Sequence, residues 1–541
     1  MTMARPRIFD TNQKRHFRIL LLMALLVFVL FAFPNAAASK NLAMVQVFSA
    51  DESSPLPYVF RMIAPSSSLY DTIRHFIDYG YYPYGFIYFA YSAVLMLPLQ
   101  WLGLLGNTTL VMLVLRQMVS VLPMLAALLI LVYMQDGFGT YRSYLLFIFL
   151  AGIAAVVENN LWWHPDGMVT LFAALTLFFL ARDRLRFGRN FLLAGVACGL
   201  ATATKLVGVY FFLAVALVLA LGLIQKKISW LRTLGMGAAF LGIMAGTYLL
   251  MSPFLFSSGD RLDFIYTMRG QSAAISSGYG IVYAKGLLAS WPLVHQYFGE
   301  LIFLIVAIAC AIRGIFRGSK RLLFALILAW LIPLSVYVFS FSHFKFQYWM
   351  PAILPVLSCV VVLLPEKLNF NLKSPSIRWI GLAGLLVVVA QFGLFTEANL
   401  QNYFSMLHRE QGNAAIAFYT QALDATRPLV DQSLSVYYDP NMYMPPTGQW
   451  TFTTSFDLLT YDYIQQNSFA VVFIQQSRIR DYLNPNAEGI DAAIFAAAQI
   501  FYHAVDAGEM TGYHLVYQND YGKVFVREDV YRQFLEPAIV K

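Results

Sequence analysis

Apolar residues in this chain come in long uninterrupted blocks separated by short polar connections, and the block length is the informative quantity. About 20 apolar residues in helical conformation cross a bilayer's hydrocarbon core. On that basis the sequence predicts spans near residues 19–38, 109–134, 143–157, 167–181, 191–204, 206–224, 230–256, 294–312, 322–340, 347–364 and 379–396. The basic clusters Arg182/Arg184/Arg186/Arg189, Lys226/Lys227, Arg313/Arg317/Lys320/Arg321 and Lys367/Lys373/Arg378 fall between these spans. All four lie on the cytoplasmic side if the N-terminus does too, as the bias of Lys and Arg toward that side requires. Residues 84–104 are also apolar and are interrupted by Pro98. Counting them as a full crossing would invert the first cluster, so this segment is expected to lie in the interface or to re-enter, or else a neighbouring span is broken. After residue 401 the pattern changes. Helical periodicity appears near 412–425 and 488–503, and strand-like runs at Leu434–Tyr438, Phe469–Ile474, His514–Tyr517 and Val524–Val526. The expectation is a polytopic α-helical membrane protein of about 11 to 13 transmembrane helices over residues 1–400. A small extracytoplasmic α/β domain would occupy residues 401–541.

Composition strengthens this reading. Hydrophobic residues make up 59% of the chain and charged residues 12%, which leaves too little polar surface for water to be the main solvent. The net charge of +8 is gathered between apolar runs, where it orients spans, and this argues against nucleic acid as a partner. Cys198, Cys310 and Cys359 all sit in apolar stretches as packing residues, so neither disulfides nor cysteine metal sites are expected. Lys14, Arg15 and Arg18, an apolar run and Ala36-Ala37-Ala38 imitate a secretory signal with its cleavage site. We read this segment as a retained first span, because an uncleaved helix would fix the acid pair that follows it.

The candidate chemistry lies in the connections assigned to the outside, residues 39–83, 158–166, 257–293 and 341–346. The first carries Asp51-Glu52, then Arg61, Asp71, Arg74, His75 and Asp78, and an aromatic string from Tyr79 to Tyr84. An adjacent acid pair is ordinarily a solvated loop face. Next to a membrane surface and among aromatics it can be partly desolvated, which raises its basicity toward that of a general base. The second connection reads Glu158-Asn159-Asn160-Leu161-Trp162-Trp163-His164-Pro165-Asp166-Gly167. The structural alternative is an aromatic belt with a Pro-Asp-Gly turn, but an acid at a span end needs a partner or a task. Lys205 interrupts the apolar stretch Phe191–Ile224, which suits two spans joined at an outer turn near Thr204-Lys205. It either snorkels to the interface or serves as a cation for the phosphate of a lipid carrier. Arg261, Arg269, Tyr279, Tyr283 and Lys285, and then His343, Lys345 and Tyr348, fill the later outer connections. Cations there run against the topological bias, and a phosphate ligand would explain them.

The acid pair in the first outer loop, the Pro-Tyr-Gly segment leading an apolar helix, the later acidic site, the GLATATK turn ending at Lys205 and the HFKFQYWMPAILP stretch from His343 occur in a definite order over residues 15–365. This arrangement resembles the GT-C superfamily of membrane glycosyltransferases, in the branch of protein O-mannosyltransferases and lipid A aminoarabinose transferases. The resemblance implies transfer of a sugar from a polyprenyl-phosphate donor to a lipid, glycan or protein acceptor on the outer face of a membrane, here a bacterial inner membrane. It implies an inverting single displacement with Asp51 as general base, assisted by Glu52, and with Glu158 or Asp166 as the second acid. Lys345, Lys205, Arg261, Arg269 and His343 would bind the donor phosphate, while Tyr81, Tyr82, Trp162, His164 and Tyr348 would line sugar and lipid sites. The HPDG string departs from the single aspartate of many relatives, and the loops lack a dense His/Asp cluster, so no cofactor is assigned and a divalent metal stays open. A transporter or lipid-linked saccharide flippase is the rival reading. It would ordinarily show duplicated halves and mid-span charges, and no internal repeat is visible here.

Overall fold

Backbone amides have no water to bond in hydrocarbon, so apolar blocks of this length must close their hydrogen bonds within helices. The structure, a computed structural model, describes residues 10–364 and 375–539. Lys367 and Lys373 of the fourth basic cluster, and the side chain of Arg378, lie outside the described residues. The chain divides into two compact units.

The first unit gathers residues 10–36, 57–268, 285–364 and 375–407. Among the described residues, seven helices are long and apolar enough to cross a membrane: Thr11–Ala37, Thr108–Asp136, Val207–Ile224, Trp230–Leu250, Arg321–Phe341, Phe346–Leu363 and Trp379–Leu407. Their burial separates centre from rim. Of the most apolar window, 78% is buried in Phe346–Leu363 but 11% in Trp230–Leu250, which leaves most of the latter to lipid. The helices Asp166–Asp183 and Arg189–Lys205 pack against each other at the centre. The segment 294–312, read from sequence as one span, is instead a bent pair, Leu287–Phe298 and Leu301–Arg317, meeting at 78°. Gly299 at the break has φ of 95°, a conformation that removes it from either helix. The segment 143–157 is likewise interrupted, as Arg142–Ala151 and Ala154–Asn159. The helix Phe86–Trp101 has 16 residues, a rise of about 24 Å, less than the thickness of a hydrocarbon core.

The second unit gathers residues 37–56, 269–284 and 408–539. Its five-stranded sheet comprises β1 (Ser435–Tyr438), β2 (Thr451–Thr453), β3 (Val471–Gln475), β4 (Tyr513–Gln518) and β5 (Gly522–Arg527), in the order β2-β1-β3-β5-β4. β1 runs parallel to β2 and β3, whereas β5 is antiparallel to β3 and β4. Val471–Ile474 and Val524–Val526 are buried on both faces, which explains why these strands read as continuous apolar runs and not as alternating ones. Helices Ala414–Ala425 and Ala492–Ala507 contribute to the two clusters that cover the sheet. The stretch 37–56 is tied to this unit by hydrogen bonds from the Tyr438 hydroxyl to Gln46 Oε1 (3.1 Å) and from Asn41 Nδ2 to the Tyr443 hydroxyl (3.4 Å).

Candidate active site

In the first unit the second connection folds into a tight polar knot. Glu158 closes the helix Ala154–Asn159 and Asp166 opens the helix Asp166–Asp183, where a carboxylate suits the positive end of the helix dipole. Pro165 sits before that helix, and Gly167 allows close approach to its neighbour: a Cβ there would lie 2.5 Å from the Ser120 carbonyl oxygen. The Ser120 hydroxyl donates to the His164 carbonyl (3.1 Å) and accepts from the His164 amide (3.0 Å), so the connection is locked onto the π-helical turn Arg116–Val121. Below it, buried Arg116 donates from Nη1 to the Asn35 carbonyl (2.9 Å), and Asn35 Nδ2 donates to the Asn160 carbonyl (2.9 Å).

The side chains of this knot are organised around Asp166, which is almost wholly buried. Lys205 Nζ lies 2.8 Å from its Oδ1, and His164 Nδ1 meets its Oδ2. The far nitrogen of His164, Nε2, is 3.0 Å from the Tyr84 hydroxyl. His164 thus bridges Asp166 through Nδ1 and Tyr84 through Nε2. Trp162 stacks flat on His164, with ring centroids 4.1 Å apart and planes 7° from parallel. Lys205 is the last residue of the helix Arg189–Lys205, which ends in left-handed Leu206 (φ 40°) and so sends the chain back as the sequence anticipated. Its ammonium sits 4.7 Å from the ring centre of Tyr348 and 5.9 Å from that of Tyr84. Tyr84 reaches this position because Gly85 is a glycine. The Gly85 amide donates to the Thr204 carbonyl (3.0 Å), and a Cβ on Gly85 would fall 1.7 Å from the Ala203 carbonyl oxygen.

Glu158 joins the same constellation from its other side. Its Oε2 accepts from Asn402 Nδ2 (2.8 Å), and its charge reaches the Tyr297 hydroxyl. Tyr297 stacks on Phe346 at 4.3 Å, and Phe346 lies 6.5 Å from Trp162. Five residues singled out from sequence, Glu158, Trp162, His164, Asp166 and Lys205, therefore lie along one path with Tyr348. Tyr84, Ser120, Tyr297, Asn35 and Arg116 were not assigned from sequence. Tyr84 is one of four aromatics in a short string, and the polar residues Asn35, Arg116 and Ser120 lie inside apolar runs.

Other expected residues of this unit have their own surroundings. Tyr82 donates to Asp260 Oδ1 and lines a polar cleft of about 430 Å³ with Arg61, Asp78, Gly80, Asp263, Tyr266 and Thr267. Burial, and then the neighbouring Asp260 carboxyl, raise the pKa of Asp78. For Asp260 burial acts upward too, but hydrogen bonds from Ser257 and Tyr82 outweigh it and hold the group below the ordinary carboxylate value. Tyr81 packs with Tyr58 at 5.1 Å and Tyr84 at 6.1 Å. Arg261 is exposed and donates to the Leu255 carbonyl (3.3 Å). Buried His343 and half-buried Lys345 precede the helix Phe346–Leu357, with Lys345 at its N-cap.

Asp51, Glu52 and Arg269 belong to the second unit. Glu52 is 1% exposed and Asp51 half-buried, on the short helix Ala50–Ser53, so the acid pair does not face open water on both sides. Burial, and after it the Asp51 charge, push the Tyr279 hydroxyl above the usual tyrosine value. Arg269 lies exposed on the helix Ser258–Ser277. Among the described residues, no three His, Cys, Asp or Glu side chains group as ligands for a metal ion.

No family model matches this chain, and no curated protein matches it in sequence. Solved structures match it in fold. ArnT from Cupriavidus metallidurans bound to undecaprenyl phosphate superposes with a TM-score of 0.54 at 11% identity, over 94% of this chain and 97% of ArnT. The apo form of ArnT gives 0.51 at 12% identity over the same shares. The Archaeoglobus fulgidus oligosaccharyltransferase, tethered to an acceptor peptide with an NVT sequon, gives 0.51 at 11% identity over 92% of this chain and 79% of that one. The chain shares its fold with these two proteins.

Proposed function

We propose that this chain is a membrane glycosyltransferase that moves a sugar from a polyprenyl-phosphate donor to an acceptor hydroxyl. The observation that carries the reading is the convergence of His164, Asp166, Lys205 and Tyr348 on one cluster, in a chain that shares its fold with ArnT. An ionic group within a membrane domain is costly unless paired, and such groups mark function more often than stability. The undecaprenyl phosphate bound to ArnT supports a lipid-phosphate donor here.

In the proposed reaction the acceptor oxygen attacks the anomeric carbon as the bond from that carbon to the phosphate oxygen breaks, inverting the centre. Asp51 takes the acceptor proton, and Glu52 assists. The leaving lipid phosphate carries the charge that develops in the transition state, so a cation placed there in advance lowers the barrier, by about 3 kcal/mol for one well-placed group. Lys205 is the first candidate, with Lys345, His343, Arg261 and Arg269 behind it. Both oxygens of Asp166 are engaged, by Lys205 and His164, which suits it to aiming the ammonium more than to moving a proton. Glu158 is the acid better suited to a second role beside the substrate. Tyr81, Tyr82, Trp162, His164 and Tyr348 are proposed to line the sugar and isoprenoid. The topology belongs to the same proposal: a cytoplasmic N-terminus, 11 to 13 crossings in all by the apolar-run count, an extracytoplasmic sheet domain, and residence in a bacterial inner membrane.

The test is incubation of the purified protein with radiolabelled polyprenyl-phosphate sugars and a membrane extract. Transfer of label by the natural chain and none by Asp51→Asn, at equal expression, is the expected result. Transfer retained by Asp51→Asn would move the base to Glu52, Glu158 or Asp166. Uptake of label into vesicles without transfer would replace the enzyme by a transporter.

A further inference from the structure

The helices Asp166–Asp183 and Arg189–Lys205 carry the Asp166–Lys205 pair at one end, and residues 184–188 join them at the other. A helix of 18 residues rises about 27 Å, so this connection lies about one hydrocarbon thickness from the pair. Within it the side chains alternate. Asp183, Leu185 and Phe187 are buried, while Arg184, Arg186 and Arg189 are exposed. Asp183 holds the turn: its Oδ2 accepts from the Phe187 amide (2.7 Å), and its Oδ1 from the amides of Gly188 (3.0 Å) and Phe191 (3.3 Å). The one acid in this stretch is therefore engaged by backbone amides.

Phe187 carries this connection onto a second one. Its ring fits against Gly222 near the end of the helix Phe212–Ile224, where a Cβ would lie 2.4 Å from Phe187 Cζ and 3.4 Å from Cδ1 of buried Ile228. The stretch Gln225-Lys226-Lys227 before Ile228 is thereby set beside the arginine turn, with both lysines exposed. Between Asp183 and Asp260 the sequence contains no acid. Arg184 and Lys226 have φ of 52° and 53°, a left-handed conformation that glycine adopts freely and other residues do not. Cations therefore stand where glycine would relieve the backbone, and strain kept in this way points to a task for the side chain. Beyond Lys227 the surface turns apolar: Trp230 is 63% and Leu231 79% exposed, at the start of the helix Trp230–Leu250, the span that leaves most of its surface to lipid.

We propose that the two connections form a docking surface for anionic phospholipid headgroups of the surrounding leaflet, with Arg184, Arg186, Arg189, Lys226 and Lys227 taking the headgroup phosphates and Trp230 anchoring the interface beside them. Guanidinium forks match phosphate oxygens two at a time, and cations fixed on a rigid turn meet them without first ordering a loop. Exposed Trp230 and Leu231 select lipid over a soluble polyanion, because a tryptophan at a span end sits at headgroup level beside the acyl chains. The surface stands apart from the transferase reading, since its residues lie at the helix ends opposite the Asp166–Lys205 pair.

The experiment titrates the purified full chain, in micelles of a neutral detergent, with phosphatidylglycerol brominated in its acyl chains and then with equally brominated phosphatidylcholine. Quenching of Trp230 is read as the difference between the natural chain and Trp230→Phe. Half-quenching is expected at about a tenfold lower mole fraction of phosphatidylglycerol than of phosphatidylcholine, as several cations near a headgroup layer would give. Arg184→Gly, Lys226→Gly and Arg186→Gln should each cut that preference about threefold to fivefold, and the first two together should bring the lipids to near parity. Both glycine variants should keep the natural thermal midpoint or exceed it, because the backbone there suits glycine. Equal quenching by the two lipids in the natural chain overturns the inference, as does a preference that Arg186→Gln and the double glycine variant leave unchanged. A lowered midpoint in both glycine variants would mean that the cations serve the turn itself, and it sinks the argument from strain. Tighter capture of a labelled single-stranded RNA than of phosphatidylglycerol would hand the surface to nucleic acid and overturn the lipid assignment.

Discussion

Replacing Lys205 by Met tests whether the central ion pair is an energetic unit. The 2.8 Å separation of Lys205 Nζ and Asp166 Oδ1 gives a gross attraction of about 6 kcal/mol at an effective dielectric of 20. Much of it is offset by the loss of hydration, since the side chains are only 15% and 1% exposed. Removing one partner strands the other, and the usual cost is about 3–5 kcal/mol. His164 still faces Asp166 and leaves the carboxylate one polar partner, so Lys205→Met should fall near the lower end, at about 3 kcal/mol. Asp166→Asn should cost a similar amount by stranding the ammonium. The double variant removes both charges together and should cost about 3–4 kcal/mol rather than the sum, a coupling of about 2–3 kcal/mol. Equilibrium denaturation in mixed micelles measures all four corners of the cycle. Additivity within about 0.5 kcal/mol would refute the pairing as the source of the effect. Transfer activity is an independent readout: Lys205→Met should lose about 100-fold to 1000-fold if the ammonium also serves the leaving phosphate.

Gly85→Ala has no space for its methyl, which would fall 1.7 Å from the Ala203 carbonyl oxygen; the chain should lose at least about 3 kcal/mol, seen as loss of the monodisperse peak in size-exclusion chromatography. For Asp78 the sign follows from a raised folded pKa: the folded state holds the proton more tightly, so stability from this group grows as pH falls through the range just above the ordinary carboxylate value and is lost as pH rises. Asp260 is lowered and acts oppositely, but only at more acid pH. Asp78→Asn should therefore flatten the difference in thermal midpoint between pH 7 and pH 5, with an effect of about 0.5 kcal/mol for so solvated a group, and an unaltered pH profile would count against the carboxyl pair.

What the sequence revealed and what it hid follow from the range of the forces involved. Apolar runs report burial directly, and β1, β3, β4 and β5 each overlap a run of β-branched and aromatic residues that the sequence marks as a strand. The three-residue edge strand β2 and the helices Tyr461–Asn467 and Gln476–Tyr482 were missed, being too short for periodicity to register. The break at Gly299 was passed over because apolar composition continues across it, although a glycine followed by Glu300 before a second apolar run was a usable signal. In the site, charges at span ends were legible because an acid or lysine there is expensive. Their neutral supports were not: Asn35, Ser120 and Tyr84 act through hydrogen bonds to residues 44 or more positions away. Membership of residues 37–56 and 269–284 in the sheet-bearing unit also left no mark, since their ties are backbone bridges and isolated hydrogen bonds with no hydrophobic period.

Those ties carry a consequence for Asp51. The helix Leu42–Phe48, N-capped by the Asn41 side chain, ends three residues before it. At that end the Arg409 guanidinium sits 3.7 Å from the ring centre of Phe48 and donates from Nη2 to the Phe48 carbonyl (3.2 Å). Arg409→Ala removes both interactions, together worth about 1–2 kcal/mol for a half-buried arginine. That is too little to unfold a sheet whose core lies elsewhere, but enough to free the carbonyl from which the backbone turns into Ala50–Ser53. If Asp51 is the general base as proposed, a displacement of about 1 Å costs roughly 100-fold in rate, so the variant should lose kcat by about 10-fold to 100-fold. KM for the donor should hold, and Arg409→Lys should recover only the part that the charge over the ring supplies, because an ammonium lacks the fork that reaches the carbonyl. Full kcat in Arg409→Ala, in protein with an unchanged thermal midpoint, would mean that Asp51 is set by its own short helix alone.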